Sequence, residues 1–326
     1  MEKKGHKFLI VARDKEVTHE LLRRYGIPYV NRGKGSQGLI GKIFYILKAD
    51  YIIYKLARKF KPDMLLSFAS TYAAHVAFLT GKPHIALDDT EHAKLEIFLY
   101  TPFTDCILSP DCFIGSLGKK QIRIPSFAEF LYLHRNYYQY KGIRPEGLNI
   151  TGNKPFVLLR FIAWTASHDI GQKGLPYEEK VLLIEELKKR GYDIRISSEG
   201  ELPKEFMSYK LSVPSDNIHD VISAATLFIG ESGTMSTEAC ILGTPAFFIN
   251  SLDAGVFREE VDRGLLFHLK SGNDAVKYIL QKIDTPNFIE HHKIAVEKLH
   301  AEKVDFTKLL VEFFENYPSS KKNFFA

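Results

Sequence analysis

Short apolar runs alternate with helical stretches along most of the chain. "KFLIVA" at 7–12 predicts a strand, followed by the polar turn Arg13-Asp14. "VTHELLRRYG" has helical spacing and stops at Gly26, a helix C-terminal signal. "NRGKGSQG" (31–38) reads as a flexible loop, and a long helical pattern then runs over 39–60, stopped before Pro62. "DMLLSF", "PHIALDD" and "DCILSP" are buried-strand candidates with helical stretches between them. That alternation predicts βαβ units and a parallel sheet.

Beyond about Leu131 the pattern loosens. Residues 137–155 are rich in Gly, Pro and Asn and read as an interdomain linker. Alternation then resumes. "FVLLRF" is a strand, "YEEKVLLIEELKKRG" a helix ending at Gly191, "YDIRISS" a strand and "DNIHDVISAA" a helix. "TLFIG" is a strand, "GESGTMSTEACIL" opens as a helix, and "PAFFIN" is another strand. Two more helices are expected to close the chain, the last around 303–317. The predicted fold class is α/β: two Rossmann-like domains with parallel sheets facing a cleft, 1–150 and 151–302, with 303–326 as a terminal helix. The first six residues read as a helix end running into the strand at Lys7, so the N-terminal domain is expected to lack its first βα unit.

Composition narrows the function classes. The 326 residues are 45% hydrophobic and 25% charged, the make-up of a globular protein too long for one ordinary core. A net charge of +5 is mild and suits anionic small molecules or a membrane surface. No dense Lys/Arg block points to nucleic acid. The helix at 39–60 carries Lys42, Lys48, Lys55, Arg58 and Lys59 among Tyr and Phe. It reads either as an ordinary domain helix or as a peripheral contact with anionic lipid. Homodimerisation stays open. The three cysteines, Cys106, Cys112 and Cys240, form no CxxC pair, so neither zinc nor a disulfide framework is expected, and a reducing cytoplasm is the simplest location. No apolar run is as long as a membrane span, and the N-terminus has no signal-peptide pattern.

Candidate chemistry lies in the loops after the strands. Glu231-Ser232-Gly233-Thr234 turns the chain from "TLFIG" into a helix. Free amides there attract phosphate, Gly233 allows close approach, and the Ser232 and Thr234 hydroxyls add hydrogen bonds. Glu238 lies four residues beyond Thr234 on the same face and can take the two hydroxyls of a ribose. The competing reading is a capped core helix with Glu238 on a solvated face. In "LLRFIAWTASHDIGQKG", Arg160, His168 and Lys173 can face a diphosphate; otherwise this is a surface loop with Trp164 packed on the core. In "ALDDTEHAKLE", Asp88, Asp89, Glu91 and His92 form the densest cluster of acids and bases in the N-terminal half, or else Asp89 or Thr90 simply caps a helix. In "SSEGELP", Ser197, Ser198 and Glu199 can reach a base or ribose, or form a capped turn.

These stretches carry a resemblance. "GESGTMSTEACILGTPAF" is similar to the nucleotide-binding motif of the UDP-N-acetylglucosamine 2-epimerase group within the GT-B fold, with Ser232, Gly233 and Glu238 matching and Thr234 in place of a second glycine. "ARDKEVTHELLRRYGIPY", "DDTEHAK", "RFIAWTASHDIGQKG", "SSEGELP" and "GTMSTEA…LGTP" more closely resemble signatures of an uncharacterised prokaryotic family, domain of unknown function 354. The resemblance implies a GT-B architecture whose last helix packs back on the N-terminal domain, and a C-terminal domain that binds UDP or another nucleotide sugar. It implies no required cofactor or metal. The family's usual first strand and His-containing loop are missing here. Of the acids that 2-epimerases use, the position read as Leu66-Ser67-Phe68-Ala69-Ser70 has none, Glu91 is kept, and residues 102–105 offer no clear match for the following glutamate. The expected function is a glycosyltransferase-like enzyme of surface polysaccharide or glycoconjugate synthesis. The alternatives are a UDP-sugar 2-epimerase or hydrolase and a non-catalytic nucleotide-sugar-binding protein.

Overall fold

The computed structural model describes residues 1–14, 16–35, 39–150, 154–162, 174–198 and 200–325. The strands are β1 Ile10–Ala12, β2 Tyr29–Asn31, β3 Leu65–Phe68, β4 His84–Leu87, β5 Cys106–Pro110, β6 Gln121–Ile124, β7 Phe156–Phe161, β8 Asp193–Ser198, β9 Leu227–Gly230, β10 Ala246–Ile249 and β11 Leu266–Leu269. The helices are α1 Glu16–Arg24, α2 Leu39–Phe60, α3 Thr71–Thr80, α4 Lys94–Tyr100, α5 Phe130–Leu133, α6 Tyr177–Lys189 and α7 Ile218–Ala224. They continue with α8 Gly233–Leu242, α9 Gly255–Asp262, α10 Ala275–Ile283, α11 Phe288–Glu302, α12 Phe306–Glu315 and α13 Ser319–Phe325. Among the described residues every strand pairing is parallel.

The chain divides into two compact units, Met1–Ala128 with Thr307–Ala326, and Glu129–Phe306. The first holds a two-stranded sheet, β1-β2, and a four-stranded sheet in the order β3-β4-β5-β6. Strand β4 is buried along its whole length, as a strand covered on both faces must be. Ala86 of this strand packs with Ala74, Tyr100 and Ile107. The C-terminal segment joins this unit through the Lys321 ammonium, which donates to the Asp105 carbonyl at 2.6 Å.

The second unit has one five-stranded sheet in the order β11-β10-β9-β7-β8. Its central strands are continuous apolar runs, and α6 and α10 contribute Leu183, Leu187, Val276 and Ile279 to the core against them. Helix α8 is buried over Ser236–Ile241, at polar and apolar positions alike; Gly243, at φ 88°, ends it in the left-handed conformation that glycine adopts without strain.

Several elements differ from the sequence expectation. The first strand is only Ile10–Ala12, and β2, β6 and β11 are strands that the reading of the sequence did not contain. Each is three or four residues, too short for a periodic signal to stand out. Five helices, not two, follow β10. Residues 137–150, read as part of a linker, are bonded into the second unit, so its boundary falls at Glu129 rather than at 151. The Tyr138 hydroxyl donates to Asp220 at 2.6 Å, and the Arg195 guanidinium donates to the carbonyls of Leu148, at 2.6 Å, and Asn149.

Candidate functional site

In the second sheet, β7 is flanked by β8 on one side and β9 on the other, so the chain leaves β7 and β9 in opposite directions around the sheet. Ligands of open parallel sheets bind at the carboxyl ends of strands at such a switch point. Arg160, one residue before the end of β7, pairs in register with Gly230 and Ser197 and donates to the Ser197 hydroxyl at 2.8 Å. The glycine is required there: a Cβ on Gly230 would lie 2.8 Å from the Arg160 Cβ.

Glu231 follows β9 and organises this end of the sheet. Its backbone N–H donates to the Arg160 carbonyl at 2.9 Å. Its carboxylate accepts the Ile162 N–H at 3.0 Å and the Leu175 N–H at 2.9 Å, and meets the Lys180 ammonium at 3.1 Å. Both side chains of that ion pair are buried. One carboxylate therefore ties Ile162 to Leu175. Gly174 leaves room for it, since a Cβ there would meet Oε1 at 2.5 Å. The sequence reading placed Glu231 only in the turn; its position beside a cap gave no sign of partners so far along the chain.

Ser232 is the N-cap of α8, with extended backbone, and its hydroxyl accepts the Met235 N–H at 3.5 Å. The amides of Gly233 and Thr234 precede the first helical bond and have no intrahelical acceptor. Thr234 is exposed, while Ser232 and Gly233 are half-buried, and a Cβ on Gly233 would meet the Phe257 ring at 2.5 Å. Glu238 is not on a solvated face. It is buried, and its Oε1 accepts the Tyr132 hydroxyl at 2.9 Å and the His219 Nε2–H at 3.1 Å. Tyr138 lays its ring edge-on to His219. Tyr132 and His219 are the residues that sequence reasoning missed. They lie 106 and 19 positions from Glu238, and no local pattern links them. Ser198 accepts the Gly200 N–H at 3.3 Å, the capped turn that was the plainer reading. Glu199, His168, Lys173 and Trp164 lie outside the described residues.

The acid cluster of the first unit sits after β4. Asp88 is buried and accepts the Thr90 N–H at 2.9 Å and the Tyr100 hydroxyl, which makes it the pin of a turn. Asp89 is half-buried and accepts the Thr90 hydroxyl at 2.9 Å. Burial, reinforced by the charges of Asp88 and Glu91, pushes its carboxyl up to about 6. Glu91 accepts the Ile114 N–H at 3.1 Å, and His92 is exposed. Neither Asp89 nor Thr90 caps the helix: α4 begins at Lys94 after Ala93, with no side-chain cap. Within β3, Ser67 shares a hydrogen bond of 2.9 Å with His84 Nε2, and burial lowers that imidazole to about 4.

Two Rossmann-like units with parallel sheets and a capped helix at the switch point define an α/β protein of the GT-B class. Similar solved structures include S. aureus MnaA in a co-structure with UDP, at 13% identity and a TM-score of 0.69 over 94% of this chain and 87% of that one. The UDP-GlcNAc 2-epimerase from Neisseria meningitidis bound to UDP-GlcNAc matches at 16% identity and 0.67, over 96% and 94%. Streptomyces sp. SF2575 glycosyltransferase SsfS6, complexed with thymidine diphosphate, matches at 14% and 0.61, over 95% and 93%. At these identities the likeness is one of fold. No curated protein matches the chain. The chain belongs to the family described as "Protein of unknown function (DUF354)", whose model matches residues 1–317.

Proposed function

We propose that the second unit binds a nucleotide-diphosphate sugar at the head of α8, and that the protein is a glycosyltransferase-like enzyme of surface polysaccharide or glycoconjugate synthesis. The observation that carries this reading is Glu238, a buried carboxylate oriented by Tyr132 and His219 on the helix whose first amides lie at the switch point. The diphosphate takes the amides of Gly233 and Thr234 and the Ser232 hydroxyl, where the helix dipole favours a negative group. Glu238 takes the ribose hydroxyls. Arg160, and His168 by its sequence position alone, neutralise the leaving diphosphate, so cationic and backbone groups supply the charge stabilisation without a metal. The UDP, UDP-GlcNAc and thymidine diphosphate carried by the structural neighbours support a ligand of this chemistry.

Asp89 is the proposed base toward the acceptor. A carboxyl near 6 can accept a proton at neutral pH and return it, whereas Asp88 is committed to its turn. Isothermal titration with UDP, UDP-GlcNAc and thymidine diphosphate in a chelator-containing buffer tests the reading. Binding by at least one is expected, weakened in Glu238→Gln. Absence of binding by all three sinks the proposal.

A further inference from the structure

Helix α2 presents a face that the nucleotide reading does not use. Phe44, Leu47, Lys48, Tyr51, Lys55 and Arg58 recur at spacings of three and four and are all exposed, with Phe44 at 69%. The opposite face, through Tyr45, Ala49 and Ala57, is buried. The stripe is about 22 Å long at the helical rise per residue. Its apolar half is aromatic and aliphatic, and its cations stand among and beyond those residues; the Lys55 ammonium lies 5.3 Å from the centre of the Tyr51 ring. The one acid of α2, Asp50, is turned away from this face to His75 of α3, at 2.9 Å.

The surface continues sideways. Leu79 lies one turn beyond His75 on the flank of α3 that meets α2, and it is exposed. Phe78 is 66% exposed and lies 5.3 Å from the ring of Phe103, just past α4. On α4, Phe98 is 73% exposed, beside the exposed pair Lys94 and Glu96. Helix α2 packs on α3 and α3 on α4, and exposed apolar side chains gathered on neighbouring helices mark an interaction site rather than ordinary surface.

We propose that the α2 face, extended by α3 and α4, docks the protein on an anionic lipid surface. Phe44, Leu47 and Tyr51 enter the boundary between headgroups and acyl chains, while Lys48, Lys55, Arg58 and Lys59 reach headgroup phosphates along their apolar stems. No helix of the described residues is long and apolar enough to cross a membrane, so the contact is peripheral. A second copy is the weaker occupant. A two-fold contact through this face would set its cations against their own copies with no exposed acid on α2 to answer them.

Co-sedimentation of the full chain with vesicles of phosphatidylcholine, with and without phosphatidylglycerol, tests this. Binding is expected only to the anionic vesicles, falling as salt rises. Lys55→Gln and Lys59→Gln should each weaken partitioning roughly fivefold. Phe44→Ser with Leu47→Ser should abolish it while thermal melting and nucleotide titration stay unchanged, which separates this proposal from the nucleotide reading. Three results overturn it: no anionic-vesicle binding at low salt, equal binding by the lysine variants, or a Phe44/Leu47 variant that turns a sedimenting dimer into a monomer and leaves vesicle binding intact.

Discussion

Glu238 and Asp89 are both acids at the edge of an interior, and their neighbours give them different work. Tyr132 and His219 meet one oxygen of Glu238, and no described residue bonds the other, so the carboxylate is held in orientation with an acceptor to spare. Hydrogen bonds to a charged group contribute about 1.5–3 kcal/mol. Glu238→Gln is therefore expected to weaken nucleotide binding about tenfold to a hundredfold by titration, with folding intact. Tyr132→Phe, which removes one of the two donors to Glu238, should cost less. Asp89 instead has its carboxyl raised by burial, to about 6 from an ordinary value near 4. The folded chain then holds this proton more tightly than the unfolded chain does, so Asp89 lowers stability as pH rises from about 4 to about 6, and its effect is level above that. Urea midpoints across this window should lose that slope in Asp89→Asn. If the slope is the same in the variant, the carboxyl is not raised. Turnover, if Asp89 is the base, should fall on the acid side of about 6 and vanish in the same variant.

At the scale of elements, the β9–α8 connection is held by Glu231 as much as by its cap. Glu231→Ala would remove the buried carboxylate that meets the Lys180 ammonium and that accepts the Ile162 and Leu175 N–H groups. Removing one member of a buried pair costs about 3–5 kcal/mol. Chemical denaturation should show a loss of that size, whereas Ser232→Ala should cost about 1 kcal/mol, the worth of an N-cap. Equal losses for the two would mean that Glu231 is not a fastening. This connection also marks the limit of what the sequence carries. Strands β7 and β9 and helices α2 and α8 were legible because unbroken apolar runs or helical spacing, ended by Gly or Pro, are local signals. The position of Ser232 at a helix start was legible for the same reason. Strand β6, "QIRI", is short and half polar, and β11, "LFHL", is likewise only four residues. The partners of Glu231 and Glu238 come from other elements, and only the fold brings them together.

At the scale of the whole molecule, the fold does not choose the reaction, because epimerases and glycosyltransferases share it among the structural neighbours. The choice rests on which acids stand on the GT-B frame. Epimerisation by elimination and re-addition removes the proton at the sugar's second carbon and so needs more than one placed acid or base. The loop after β3 carries Ala69 and Ser70, and the neighbouring Ser67 and His84 satisfy each other. Glu91 is bonded to the Ile114 amide and Asp88 to its turn, which leaves Asp89 as the acid of this cluster whose carboxyl burial raises. On the proposed transferase reading a single base is enough, since transfer requires only that an acceptor hydroxyl be activated. With UDP-GlcNAc in deuterated water, no deuterium is expected at the second carbon by NMR, and release of UDP should require an added acceptor. Deuterium at that carbon, retained in Asp89→Asn and lost in Glu91→Gln, would instead make the protein an epimerase that works through Glu91.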